Sequence, residues 1–199
     1  MPKPSTTGSV YIEALSEDVY DFALGDLDSL PDWMTSVDTI EEVDPDWPAP
    51  GSSHVYCRIL QKRTIRGKTT VVEADRPRRV VMREETLDDG TGRQPQNGER
   101  SGQTIWEFVP EDIGTRVTMR LVGAELSGLW YFIWTRMFSA RVIANLERSL
   151  ANLKQICEEE LEDVPEEASD SAAEAIDPAA PAASLSAVDP DSDVAEERE

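Results

Sequence analysis

The chain has 199 residues, with 40 Asp and Glu against 19 Lys and Arg, a formal net charge of −21. That length suits one domain with a tail, and the lack of any basic excess to release counterions from phosphate excludes nucleic acid as a partner. Two cysteines, Cys57 and Cys157, and the single histidine, His54, cannot complete a His/Cys metal cage or a disulfide framework, so no metal or other cofactor is expected.

Residues 1–7 carry no apolar segment of the signal-peptide kind and are expected to be a flexible N-terminus. Gly8 to Ala14 alternates apolar and polar positions and predicts a strand. Ser16 then suits a helix cap, with Glu17 and Asp18 in the first turn, where the helix dipole favours acids. Val19, Phe22 and Ala23 form that helix's buried stripe. The piece 27–34 carries Pro31 inside it and predicts two short helical turns, the second starting at the proline.

Strands are expected at about 36–44, 53–62, 64–75, 78–87, 103–110 and 115–123, separated by Pro-, Gly- and Asp-rich turns. The stretch 88–102 is too polar and glycine-rich for a core and reads as an elongated hairpin loop. The longest apolar run, 128–134, is far short of the roughly 20 residues that cross a bilayer. No transmembrane segment is therefore expected, which leaves a cytoplasmic location with peripheral membrane contact possible. Phe138, Val142, Leu146, Leu150, Leu153 and Cys157 recur at spacings of four and three. They predict an amphipathic helix over 128–160, roughly 45–48 Å long at about 1.5 Å per residue. A helix of that length beside so many antiparallel strands suggests a curved sheet wrapped round it.

Residues 158–199 hold 16 acids and one base, Arg198. From 162 onward the composition is Glu, Asp, Ala, Pro and Ser without aromatics. Such a segment cannot offset the roughly 1–2 kcal/mol of backbone entropy lost per ordered residue, and it is expected to be a disordered acidic tail. A solubilising role is the simpler reading of it; a protein partner bound through it is the alternative.

The order of these pieces resembles the START-like, or SRPBCC, superfamily of polyketide cyclase/dehydrase and lipid-transport proteins. The residues that carry the resemblance are Val10 to Ala14, Ser16 to Phe22, Leu27 to Trp33, Val72 to Val81, Thr104 to Phe108, Gly114 to Met119 and Leu146 to Lys154. The resemblance implies an α+β helix-grip fold over 8–161, a seven-stranded antiparallel sheet folded round the C-terminal helix with a hydrophobic cavity between them. It also implies an apolar ligand such as a lipid, quinone or polyketide, with cyclase or dehydratase chemistry in a minority of members.

Strand periodicity proposes the cavity face. Thr104, Trp106 and Phe108 share one side of their strand, and Val117, Met119 and Leu121 one side of the next. Val80, Met82 and Glu84 oppose Val81, Arg83 and Glu85, so a charge points inward in either register unless Glu84 lies at the rim. For 53–59, periodicity prefers Val55, Cys57 and Ile59 inside, whereas the resemblance implies His54 and Tyr56. Trp33 and Met34 are candidates for the cavity mouth. The run Trp130 to Trp134, with Met137 and Phe138, is apolar on nearly all sides and must be buried on several faces or meet a ligand or partner; Trp130, Trp134 and Met137 therefore join the candidate lining.

Nucleophilic catalysis lacks a GxSxG elbow and a second histidine. His54, Tyr56, Arg58, Arg83 and Glu84 are the groups that could steer a proton or enolate in a cyclase. The reading is binding or transport of an apolar small molecule, with a cyclase/dehydratase enzyme or a protein- or membrane-interaction module as alternatives.

Overall fold

The computed structural model describes residues 3–60, 62–88, 90, 101–123 and 139–162. Most of the expected loop 88–102, residues 128–138 of the expected closing helix and the expected acidic tail from 163 onward lie outside the described residues.

Strand β1 (Ser5–Ile12) starts three residues earlier than the alternation proposed. Ser5, Thr6 and Thr7, expected to be flexible, pair with Val122, Leu121 and Arg120. Threonine's branched Cβ suits a pleated surface, and Thr6 is buried there, so a polar run completes an edge strand. Helix α1 (Ser16–Tyr20) follows with Leu15 at the N-cap in extended conformation and no side chain capping it. Ser16 is thus the first helical residue and not the cap. The chain then widens into a π-helical turn, Asp21–Gly25, closed by Asp26 N–H donating to the Asp21 carbonyl at 3.1 Å. Helix α2 (Leu30–Trp33) has Pro31 in its first turn, where a missing N–H costs nothing.

The remaining strands are β2 (Thr39–Val43), β3 (Ser53–Leu60), β4 (Arg63–Asp75), β5 (Arg79–Asp88), β6 (Ser101–Glu111) and β7 (Gly114–Val122). With β1 they form one antiparallel sheet in the order β1-β7-β6-β5-β4-β3-β2. Helix α3 (Ser139–Glu162) closes the fold.

Helix α3 packs on β1, and Gly8 is a point of close approach. A Cβ built on Gly8 would lie 3.0 Å from Leu146 Cγ and 3.0 Å from Leu150 Cδ1, so any side chain there would press the leucines to shift. Leu146, Leu150, Leu153 and Cys157 are buried in the helix stripe. Polar contacts fix the helix against the short ones: Thr35 N–H donates to Ser149 Oγ at 3.1 Å, and Asn152 Nδ2 donates to the Trp33 carbonyl at 3.4 Å. Glu13 N–H donates to Glu158 Oε1 at 2.8 Å near the other end. No helix among the described residues is long and apolar enough to cross a membrane.

Candidate functional site

Antiparallel register sorts the inward side chains into rows. One row is Val80 beside Trp106 beside Met119, and the next is Met82 beside Thr104 beside Leu121. Beyond these, His54, Thr69, Glu84 and Gly102 stand side by side across β3 to β6. Tyr56 then faces Gly67, which faces Thr86. The concave side of the sheet therefore grades from aromatic and aliphatic to polar, one row at a time.

A cavity of about 680 Å³ lies over these rows. The sheet supplies His54, Tyr56, Arg58, Thr69, Met82, Glu84, Thr86, Thr104, Trp106, Met119 and Leu121. The π-helical turn and α2 region contribute Leu24, Leu27, Leu30, Met34 and Val37, and α3 contributes Val142, Asn145, Leu146 and Ser149. Trp47 walls one side. Its Nε1 donates to the Leu24 carbonyl at 2.6 Å, and its ring meets His54 edge to face with centroids 4.4 Å apart.

Among the residues proposed from sequence, Met34, His54, Tyr56, Met82, Thr104, Trp106, Met119 and Leu121 line this cavity. Trp33, Val80, Phe108 and Val117 do not reach its wall. Each is packed solid in the core, Trp33 edge-on to Trp106 and Phe108 stacked on Trp106, both at centroid distances of 6.0 Å. Trp130, Trp134 and Met137 lie outside the described residues. Strand β3 turns His54, Tyr56 and Arg58 inward, against its own periodicity. Val55 and Cys57 are also buried on the opposite face, where Cys57 Sγ donates to Glu41 Oε1 at 3.0 Å, so hydropathy cannot tell the two sides apart. Arg83 is on the outer, exposed side of β5.

Glu84 points inward and is not at a free rim. Thr69 Oγ1 donates to its Oε2 at 2.9 Å and Thr104 Oγ1 to its Oε1 at 3.3 Å, one threonine from each neighbouring strand. Glu84 lines the cavity. Burial pushes its carboxyl above the ordinary range, against the pull of those hydrogen bonds and the Arg58 charge. Burial, with the charge of Glu84 nearby, pushes the Tyr56 hydroxyl well up as well. The Tyr56 ring lies directly over Gly67, whose missing side chain makes the space it occupies. Burial holds His54 at about 4, below its usual 6.5, so the ring is neutral at pH 7, and its Nδ1 has no partner.

A pH dependence follows from His54. Between pH 6.5 and about 4 the unfolded chain binds a proton that folded His54 refuses, so stability falls as the pH drops through this window. His54→Gln is expected to remove up to about 3 kcal/mol of that loss, measured as the difference between variant and parent in denaturant unfolding at pH 7 and pH 4.5.

No group of three or more His, Cys, Asp or Glu side chains among the described residues could hold a metal ion. The arrangement is instead an apolar chamber with a small polar wall, the composition of a small-molecule site. The family described as polyketide cyclase/dehydrase and lipid transport matches residues 3–158. The chain belongs to that family. Solved structures share its helix-grip fold at low sequence identity. A Thermus thermophilus protein, TTHA0849, is 19% identical with a TM-score of 0.56, covering 77% of this chain and 97% of its own. Ara h 8.0201 is 12% identical at a TM-score of 0.57, covering 78% and 98%. The di-domain ARO/CYC StfQ from the steffimycin biosynthetic pathway is 12% identical at 0.60, covering 79% of this chain and 51% of that protein. No curated protein matches the chain.

Family members thus offer apolar-ligand binding or cyclase-type chemistry. The polar wall that bears on this choice was only partly visible beforehand. Of the polar groups that the sequence suggests, His54, Tyr56, Arg58 and Glu84 line the cavity and Arg83 does not, whereas Thr69, Trp47 and the α3 pair Asn145 and Ser149 carry no pattern that marks them in a sequence.

Proposed function

We propose that this protein binds an apolar small molecule of lipid, quinone or polyketide type in the cavity between sheet and C-terminal helix, as a carrier or sequestering protein. The observation that carries the reading is the chamber itself. Its volume of about 680 Å³ falls inside the roughly 300–1,000 Å³ of typical small-molecule sites, and Met34, Met82, Trp106, Met119 and Leu121 make much of it apolar. Methionines at three of these places suit a wall that adapts to its guest. A neutral fluorescent probe such as N-phenyl-1-naphthylamine is expected to bind with one-to-one stoichiometry. Native mass spectrometry of the purified protein is expected to retain a bound apolar compound. Absence of both sinks the reading.

A second reading, a cyclase or dehydratase, is favoured by one feature: Tyr56, Arg58 and Glu84 converge on the wall of an otherwise apolar chamber. A carboxyl whose pKa is raised by burial is better suited to donate a proton to a carbonyl oxygen, and a phenol can steer an enol. Under that reading Glu84→Gln abolishes turnover of a polyketide-like substrate while leaving it bound; under the carrier reading there is no turnover to lose.

A further inference from the structure

Arg58 is the sole Lys or Arg among the described residues that line the cavity. It is half-buried, and neither an ion pair nor a hydrogen bond joins its guanidinium to another described residue; its Nε is buried without an acceptor. Several arginines outside the chamber are paired. Arg66 sits on Glu41 at 2.6 Å, Arg79 on Glu73 at 2.8 Å and Arg116 on Glu111 at 2.7 Å. Among the described residues, the one cation that lines the chamber has no ion pair with a carboxylate, in a chain with twice as many acids as bases. The carboxylate close enough to act on it, Glu84, has one oxygen committed to Thr69 and the other to Thr104.

We propose that the chamber selects a monoanionic amphiphile, a long-chain or aryl carboxylic acid, with its carboxylate on Arg58 and its apolar body along Met82, Trp106 and Met119. This rests on the ligand-binding reading and names its ligand class. The buried Nε of Arg58 has lost hydration without recovering it from an acceptor, and an incoming anion supplies that acceptor. The fork of N–H donors matches two carboxylate oxygens in one plane. A phosphate monoester, with nearly two negative charges, would leave one uncompensated beside Glu84. The row order of the sheet fits the same polarity, because Tyr56 and Arg58 lie past Glu84 at the polar end while Trp106 and Met119 lie two rows the other way.

The test displaces bound N-phenyl-1-naphthylamine from the full chain at pH 7.5 with three ligands of one chain length: dodecanoate, dodecanol and dodecyltrimethylammonium. Dodecanoate is expected to displace the probe at a concentration about tenfold or more below dodecanol, the effect of one charged hydrogen-bonded contact, and the ammonium is expected to be weakest. Arg58→Gln should erase the advantage of the acid over the alcohol, with each displacement read relative to the variant's own probe affinity, and Arg58→Lys should restore part of it. Should Arg58→Gln fail to fold, the parent's ranking of acid over alcohol still decides. Probe binding with acid and alcohol equal, or an acid preference that survives Arg58→Gln, overturns the carboxylate site and leaves the chamber standing. No binding of probe or any of the three overturns both.

Discussion

Leu150→Ala is expected to lower the free energy of unfolding by about 2–5 kcal/mol, read from the denaturant midpoint at unchanged m-value. Leu150 is 2% exposed and sits where α3 presses on β1. Its Cδ1 would be 3.0 Å from a Cβ on Gly8, so the leucine packs directly against the strand backbone there. Removing the isobutyl group opens a void that the backbone of β1 cannot fill, because its hydrogen bonds to β7 fix Gly8 opposite Met119. The cost should therefore fall in the upper half of the range for a buried leucine. Gly8→Val attacks the same contact from the other side and is expected to be as harmful, by overpacking. A loss below about 0.5 kcal/mol for Leu150→Ala would mean that the helix stripe does not carry this interface.

That stripe was legible before any coordinates, and the reason is physical. Leu146, Leu150, Leu153 and Cys157 recur with the helical period, and the face opposite them is charged, so one arrangement buries them. Strand β7 was legible on the same ground, since Val117, Met119 and Leu121 oppose Arg116, Thr118 and Arg120, and β6 through the two aromatics Trp106 and Phe108 on one side against Ile105, Glu107 and Val109 on the other. Strand β3 was not, because both of its sides are covered: His54 and Tyr56 by the chamber, Val55 and Cys57 on the far face. Family resemblance oriented it correctly where periodicity did not. Alternation also could not separate wall from core. Val80 and Met82 share a face of β5, as do Trp106 and Phe108 of β6, yet one of each pair meets the cavity and the other packs solid. That division depends on where α1 and α2 lie across the sheet, and no local pattern encodes it. The start of β1 was hidden for a further reason, since Ser5, Thr6 and Thr7 are polar and owe their place to backbone pairing with β7.

The division of wall from core makes the second large prediction a discriminating one. Trp106 lies at the junction: its ring is near-parallel to Phe108, with 10° between planes, and edge-on to Trp33 at 85°, while it also borders the chamber. Trp106→Ala is expected to cost about 3–5 kcal/mol of stability and to weaken binding of the neutral probe by about tenfold or more, as loss of a buried aromatic anchor does. Phe108 belongs to the same stack, is 1% exposed and touches Tyr20 edge-on at 5.4 Å, but it does not border the chamber. Phe108→Ala should therefore cost stability in the same range and leave probe affinity within about twofold at temperatures where the variant stays folded. Equal loss of affinity in both variants would mean that binding follows global stability and not contact with the indole. Loss in neither would place the probe away from the sheet face of the chamber, and with it the apolar ligand that the chamber is proposed to hold.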